Sequence, residues 1–209
     1  MHIKRRIFGT DRPNYHHGNL KDALIDAARE LVAERGPAGF TLAEAAKRVG
    51  VTGAAPYRHF ADRSALMQEL ATRGFALFDA QQKAAWQDGK PDAVTAFRRM
   101  GASYLRFCKA EPGLYSAMFG TQQSPASLAA NASFETLLMA TVAVLAQYGV
   151  PAGGAAALAS RIWALSHGVA MLSMNQFLTA ERLGCDPQEI QDSAVSALFE
   201  TAIRRAKGG

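Results

Sequence analysis

Apolar residues recur along most of this chain at three- and four-residue intervals, the spacing that lines one face of a helix. Leu20, Ala23, Leu24, Ala27, Leu31 and Val32 make the first such stripe, with Asn19 placed to cap it and Gly36-Pro37 to stop it. The opposite face, with Asp22, Asp26, Arg29, Glu30 and Glu34, reads as a solvated helix surface. Leu66, Leu70, Phe75 and Phe78 carry a long helix from Arg63 toward Trp86, broken by Gly89-Lys90-Pro91. Asp92 caps another with Val94, Phe97, Gly101, Tyr104 and Cys108 on one face, ended by Glu111-Pro112-Gly113. A short helix at 114–119, a polar loop at 120–125 and an apolar helix at 126–148 follow, before a break at 149–154. The stretch 155–178 is apolar nearly all round, which predicts burial on two sides. The final helix opens at Asp186-Pro187-Gln188-Glu189 with a cap, a first-turn proline and a capping-box acid, and Thr201 joins its small-residue packing face. The pattern predicts an all-α fold of about nine helices.

Residues 40–60, FTLAEAAKRVGVTGAAPYRHF, differ from the rest in being two short helices around a sharp turn. Thr41 and Glu44 have capping-box spacing, and Leu42, Ala45, Ala46 and Val49 share a face. Gly50 supplies the left-handed residue that ends the helix, and Val51 plugs the turn. A second helix is predicted from Thr52 or Gly53 through Tyr57 to Phe60. Pro56 fits there only in the first turn, where its missing N–H has no helical role. The pair is a helix-turn-helix with its second helix sized for a DNA major groove.

Composition sharpens this. Of 209 residues 49% are hydrophobic, enough for a sizeable helical core, and the net charge is +5. Residues 1–63 hold eleven Lys or Arg against seven Asp or Glu, and the remainder twelve against eleven, so the basic excess lies with the helix-turn-helix, as phosphate binding requires. The longest nearly apolar run, 137–146, falls short of the roughly 18 residues of a membrane span, and no signal peptide is expected. Two distant cysteines, Cys108 and Cys185, fit a reducing cytoplasm and no metal spacing. No motif for phosphate cradling, zinc hydrolysis, nucleophilic catalysis or dinucleotide binding is present, so neither an enzyme nor a cofactor is expected. Residues 1–16 form a basic arm that either tracks DNA or is a solvated tail, and the adjacent His16 and His17 do not converge on a metal.

Phe40-Thr41-Leu42, Gly50-Val51-Thr52, Tyr57-Arg58-His59-Phe60 and Asp62-Arg63 together resemble the DNA-binding domain of the TetR family of bacterial transcriptional regulators. The resemblance spans about residues 17 to 77. Trp163, His167 and Gly168 resemble, less specifically, the C-terminal signature of one of its subfamilies. The commoner family pattern has a branched aliphatic residue where this chain has Pro56, although a subset resembles the A-P-Y-R-H-F version.

The resemblance implies a homodimeric regulator of double-stranded operator DNA, a repressor by family default, released when a small effector enters a C-terminal domain at 78–209. Thr41, Thr52, Tyr57, His59 and Arg63 are expected to hold the DNA backbone. Gly53, Ala54 and Ala55 allow close approach to base edges, with Arg58 the main base-reading candidate. An apolar or amphipathic effector is expected between Phe97, Met100, Tyr104 and Cys108 on one side and Trp163, His167, Met171 and Met174 on the other; a plain core would carry the same stripe. Leu158, Ile162, Leu165, Val169 and Leu172, with Ile190, Ala194 and Ala197, are expected at the dimer interface. An architectural DNA-binding protein without a ligand, or a helical protein that does not bind DNA, are the alternatives.

Overall fold

The computed structural model describes residues 20–120 and 128–208. The arm, the Asn19 cap and the loop from 121 lie outside the described residues. Those described are helical, with no strand among them. In order they form α1 (Leu20–Arg35), α2 (Leu42–Arg48), α3 (Arg63–Trp86), α4 (Ala93–Ala110), α5 (Pro112–Gly120), α6 (Leu128–Gln147), α7 (Ala155–Met174), α8 (Ala180–Leu183) and α9 (Pro187–Lys207).

Local chemistry explains most boundaries. Asp62 accepts from the Ala65 N–H to start α3, Asp92 from Thr95 to start α4, and Asp186 with Glu189 forms the reciprocal box that starts α9. The apolar run after residue 155 does not continue to 178. Asn175 caps α7 at Met174, its side-chain amide donating to the Met171 carbonyl at 2.8 Å. Thr179 then caps the short α8, which has no periodic signal to announce it.

Two cores share α3. The first gathers Leu24, Leu31, Leu42, Phe60, Leu66 and Leu70 with Tyr115 and Met118 of α5. The second gathers Trp86, Phe97, Val144, Leu158, Ile162 and Phe199. At ~1.5 Å per residue the 24 residues of α3 run roughly 36 Å, from the helix-turn-helix into the second core. Helix α5 lies against both α1 and α3. Its Gly113 sits so close to α1 that an added Cβ would fall 2.1 Å from the Arg29 carbonyl oxygen.

Helix α7 corrects the expected faces. Leu158, Ile162 and Val169, placed at the dimer interface from their spacing, are 3%, 2% and 4% exposed within the protomer. Conversely Met171, placed inward, is 38% exposed. Apolar residues surround α7, so its sequence does not mark one face as inner; packing against α4, α6 and α9 decides it. Residues 152–174 are also long and apolar enough to cross a membrane by length and composition, at a mean hydropathy of 1.2. This helix escapes the simple run-length reading because Arg161 and His167 interrupt it. It packs on one side against α4, α6 and α9 and leaves the other side exposed.

Candidate nucleic-acid interface and internal cavity

The helix-turn-helix is built by side chains that finish backbone hydrogen bonding. Glu44 accepts from the Thr41 N–H at 2.8 Å, and Thr41 Oγ1 accepts from the Glu44 N–H at 3.2 Å. The Thr41 hydrogen bonds hold the Glu44 carboxyl below the usual carboxylate range, with Arg35 adding to them. Gly50 at φ 78° lets its own N–H reach the Lys47 carbonyl and the Val51 N–H the Ala46 carbonyl, the paired bonds of a Schellman ending.

The second element is shorter than expected. Ala55–Arg58 is a single 3-10 turn, following a turn at Gly53 and Ala54. Pro56 has no N–H to close a bond back to Thr52, and the Ala55 N–H takes that carbonyl at 3.0 Å instead. Pro56 and Phe60 are buried and anchor the turn, while Thr52, Gly53, Ala54, Tyr57, Arg58 and His59 are exposed and Ala55 is half-buried. Tyr57 is 61% exposed, unusual for a tyrosine beside a packed core. Thr41, at the mouth of α2, is exposed as well.

Cations are distributed unevenly around this surface. Arg48 pairs with Glu30 and Glu34, and Arg35 with Glu44 at 2.8 Å. Arg63, expected on the DNA backbone, is half-buried; it donates to the Pro37 carbonyl and its guanidinium lies 5.8 Å from the Phe40 ring centre. It braces the start of α3 against the loop after α1 by satisfying a loop carbonyl. Lys47 belongs to none of the sequence motifs. It lies one turn beyond Ala43, whose Cβ is 3.8 Å from where a Cβ on Gly53 would stand, so it borders the exposed turn. Among the described residues Lys47 and Arg58 are exposed and without an ion-pair partner.

Beside the second core is a cavity of about 430 Å³ that opens to solvent on one side. Phe97, Met100, Tyr104 and Trp163 line it, and so do Gln82 of α3 and Gln191 of α9. Four other residues expected there do not. Cys108 is buried in the first core beside the Tyr104 carbonyl, its thiol pushed up to about 12 by burial, and Met174 packs on that same core. Met171 points outward. His167 is held by Tyr115, whose hydroxyl lies 2.8 Å from Nδ1. Extending one stripe along α4 and another along α7 places these four inside, but α9 packs against both helices and the cavity forms where Gln191, Val195 and Phe199 meet them. Neither glutamine belongs to a sequence pattern.

The family model described as bacterial regulatory proteins, tetR family, matches residues 24–70, and that of the tetracyclin repressor-like C-terminal domain matches residues 97–198. The chain belongs to the TetR family. A protein of unknown function from Rhodococcus sp. RHA1 is 27% identical, with a TM-score of 0.76 over 92% of this chain and 100% of that one. The TetR-family regulator PfmR of Thermus thermophilus, 15% identical with a TM-score of 0.65 over 85% of this chain and 97% of its own, shares the fold. The uncharacterized HTH-type transcriptional regulator YobS of Bacillus subtilis (strain 168) is 29% identical over 100 residues, 48% of this chain and 51% of YobS. That match therefore spans about half of YobS. These likenesses make the chain a DNA-binding transcriptional regulator of the TetR family and point to a non-enzymatic role.

Proposed function

We propose that this TetR-family protein is a cytoplasmic repressor. It binds a pseudo-palindromic operator as a homodimer and leaves it when a small molecule fills the cavity of the second core. The observation that carries the reading is that α3 joins the exposed turn at 52–59 to that cavity, where it contributes Gln82. A ligand that prefers one position of α3 thereby changes the separation of two recognition elements, which must match about 34 Å of helical repeat.

On the DNA side, Thr41, Thr52, Tyr57 and His59 are assigned to the phosphate backbone with Lys47, and Arg58 to base edges. Gly53 and Ala54 permit close approach. Arg63 is assigned a bracing role instead of a phosphate contact. The dimer face is assigned to the outer side of α7 and α9, through Leu165, Leu172, Ile190, Ala194 and Ala197, since these remain at least partly exposed in the protomer.

Selection of bound sequences from a random DNA pool tests this directly. The expected result is a single inverted repeat, with affinity that falls linearly as log salt rises. Recovery of unrelated sequences with diffuse protection would favour an architectural protein and defeat the repressor assignment.

A further inference from the structure

Two glutamines that line the cavity each carry a buried polar atom with nothing to bond. Gln82 Nε2, a donor, and Gln191 Oε1, an acceptor, are buried without a hydrogen-bond partner among the described residues, and so do not bond each other. The two residues are 5% and 1% exposed and line the same space. Orphaned amide groups in a core are unfavourable, and two on residues that border one cavity point to a molecule that completes them when their side chains turn toward it.

Gln191 is also given a prepared seat. A Cβ on Gly101 of α4 would stand 2.6 Å from Gln191 Nε2, so the missing side chain of Gly101 is what admits the carboxamide against α4. That nitrogen is lodged on the helix while the oxygen is left unbonded in the core. Around the glutamines the walls are apolar, with Phe97, Met100, Val144, Ile162, Val195 and Phe199. The charged residues of the lining are balanced, Arg98 and Arg204 against Asp192 and Glu200, and three of the four are solvent-exposed. A ligand with a net charge would gain no deep counter-ion here.

We infer that the cavity takes an uncharged amphipathic molecule whose apolar body is packed by the α4, α6 and α9 side chains, with a neutral amide or lactam that accepts from Gln82 and donates to Gln191. About 430 Å³ suits a molecule of drug-like size. Because Gln82 is on α3 and Gln191 on α9, such a head group ties the connector helix to the C-terminal helix. The inference rests on the effector reading above and adds the chemistry of the effector.

The test uses full-length protein and three probes sharing one ring system: naphthylacetamide, naphthylacetate and ethylnaphthalene. Calorimetry should show the amide binding at least roughly tenfold more tightly than the other two, the ~1.4 kcal/mol expected of a satisfied buried pair. Gln82→Met and Gln191→Met should each remove that preference while ethylnaphthalene binds as before. Their melting temperatures should hold or rise, since an orphaned polar atom has gone; a fall would mean that the glutamines are structural and would overturn the inference. Gly101→Ala, which crowds Gln191 without altering it, should weaken the amide alone. Equal binding of the three probes, preference for the acid, or no binding at all would overturn the amide assignment. Operator affinity, followed in parallel by fluorescence anisotropy, separates the two readings. Release of DNA by ethylnaphthalene as readily as by the amide keeps the effector and discards the amide; a Gln-dependent amide that leaves DNA bound keeps the amide and discards the effector.

Discussion

The Tyr115 hydroxyl lies 2.8 Å from Nδ1 of His167, joining the helix that leans on the DNA-binding head to a helix of the second core. Tyr104 adds its hydroxyl 3.1 Å from that of Tyr115. Burial lowers the His167 pKa below the ordinary histidine value and raises both phenols above theirs. At neutral pH the neutral imidazole is thus the favoured form. The unfolded chain, with an ordinary histidine, binds more protons just below about pH 6.5, so stability from this group is present above that pH and is lost as pH falls through it. Melting temperature should fall between pH 7 and about pH 5.5. His167→Gln should flatten that segment of the curve. An unchanged curve in the variant would remove His167 as its source.

Tyr57→Ala and His59→Ala should weaken operator binding by about tenfold each, the worth of a hydrogen bond to a charged phosphate, with melting temperatures unchanged. Lys47→Ala should lower the slope of log affinity against log salt by roughly 0.9. Phe60→Ala, at a position 4% exposed, should instead destabilise the fold by about 3–5 kcal/mol. Electrophoretic shift with thermal melting distinguishes the two classes.

Two glycines should respond oppositely to alanine. Gly168, in the middle of α7, has nothing within 4 Å of a new Cβ, and Gly168→Ala should stabilise by roughly 0.5–1 kcal/mol through helix propensity. Gly113→Ala puts its methyl on the Arg29 backbone, which cannot swing away, and should cost about 1–3 kcal/mol or more. Urea titrations of both variants check the signs.

Leu172 is 46% exposed and Leu158 is 3% exposed, though both lie on the same helix. Leu172→Glu should yield a folded monomer by light scattering and circular dichroism. Leu158→Glu should fail to fold, because it buries a charge without a partner. A folded dimer of the Leu172 variant would move the interface elsewhere.

What can be read from the residues alone is the chemistry that acts within a few positions. Thr41 with Glu44, Asp186 with Glu189 and Gly50 after Val49 each follow from contacts inside one turn, the span from Arg63 to Trp86 follows from a repeated apolar spacing, and each is found as read. The length of the recognition turn is not legible in the same way. Pro56 has a tolerable place in the first turn of an α-helix, yet here the bond it removes converts the turn to 3-10 geometry. The cavity is harder still. Its lining is set by how α9 crosses α4 and α7, and isolated residues such as Gln82 and Gln191 have no periodicity that foretells a meeting 109 positions apart along the chain. Arg63 misleads for a similar reason, since a basic residue at a helix start looks the same whether it faces a phosphate or the Pro37 carbonyl.

Gly113 against Arg29 also limits how the head can turn. Were α3 the sole support, the DNA-binding helices would be free to twist about its long axis, as a flag turns on a pole. The backbone contact between α5 and α1 is a second attachment set off that axis, and it has no side chain whose rotamer could absorb a slip. The contact opposes torsion more than tilting, so the release proposed above would carry a displacement at the cavity end of α3 to the exposed turn as a swing in one plane.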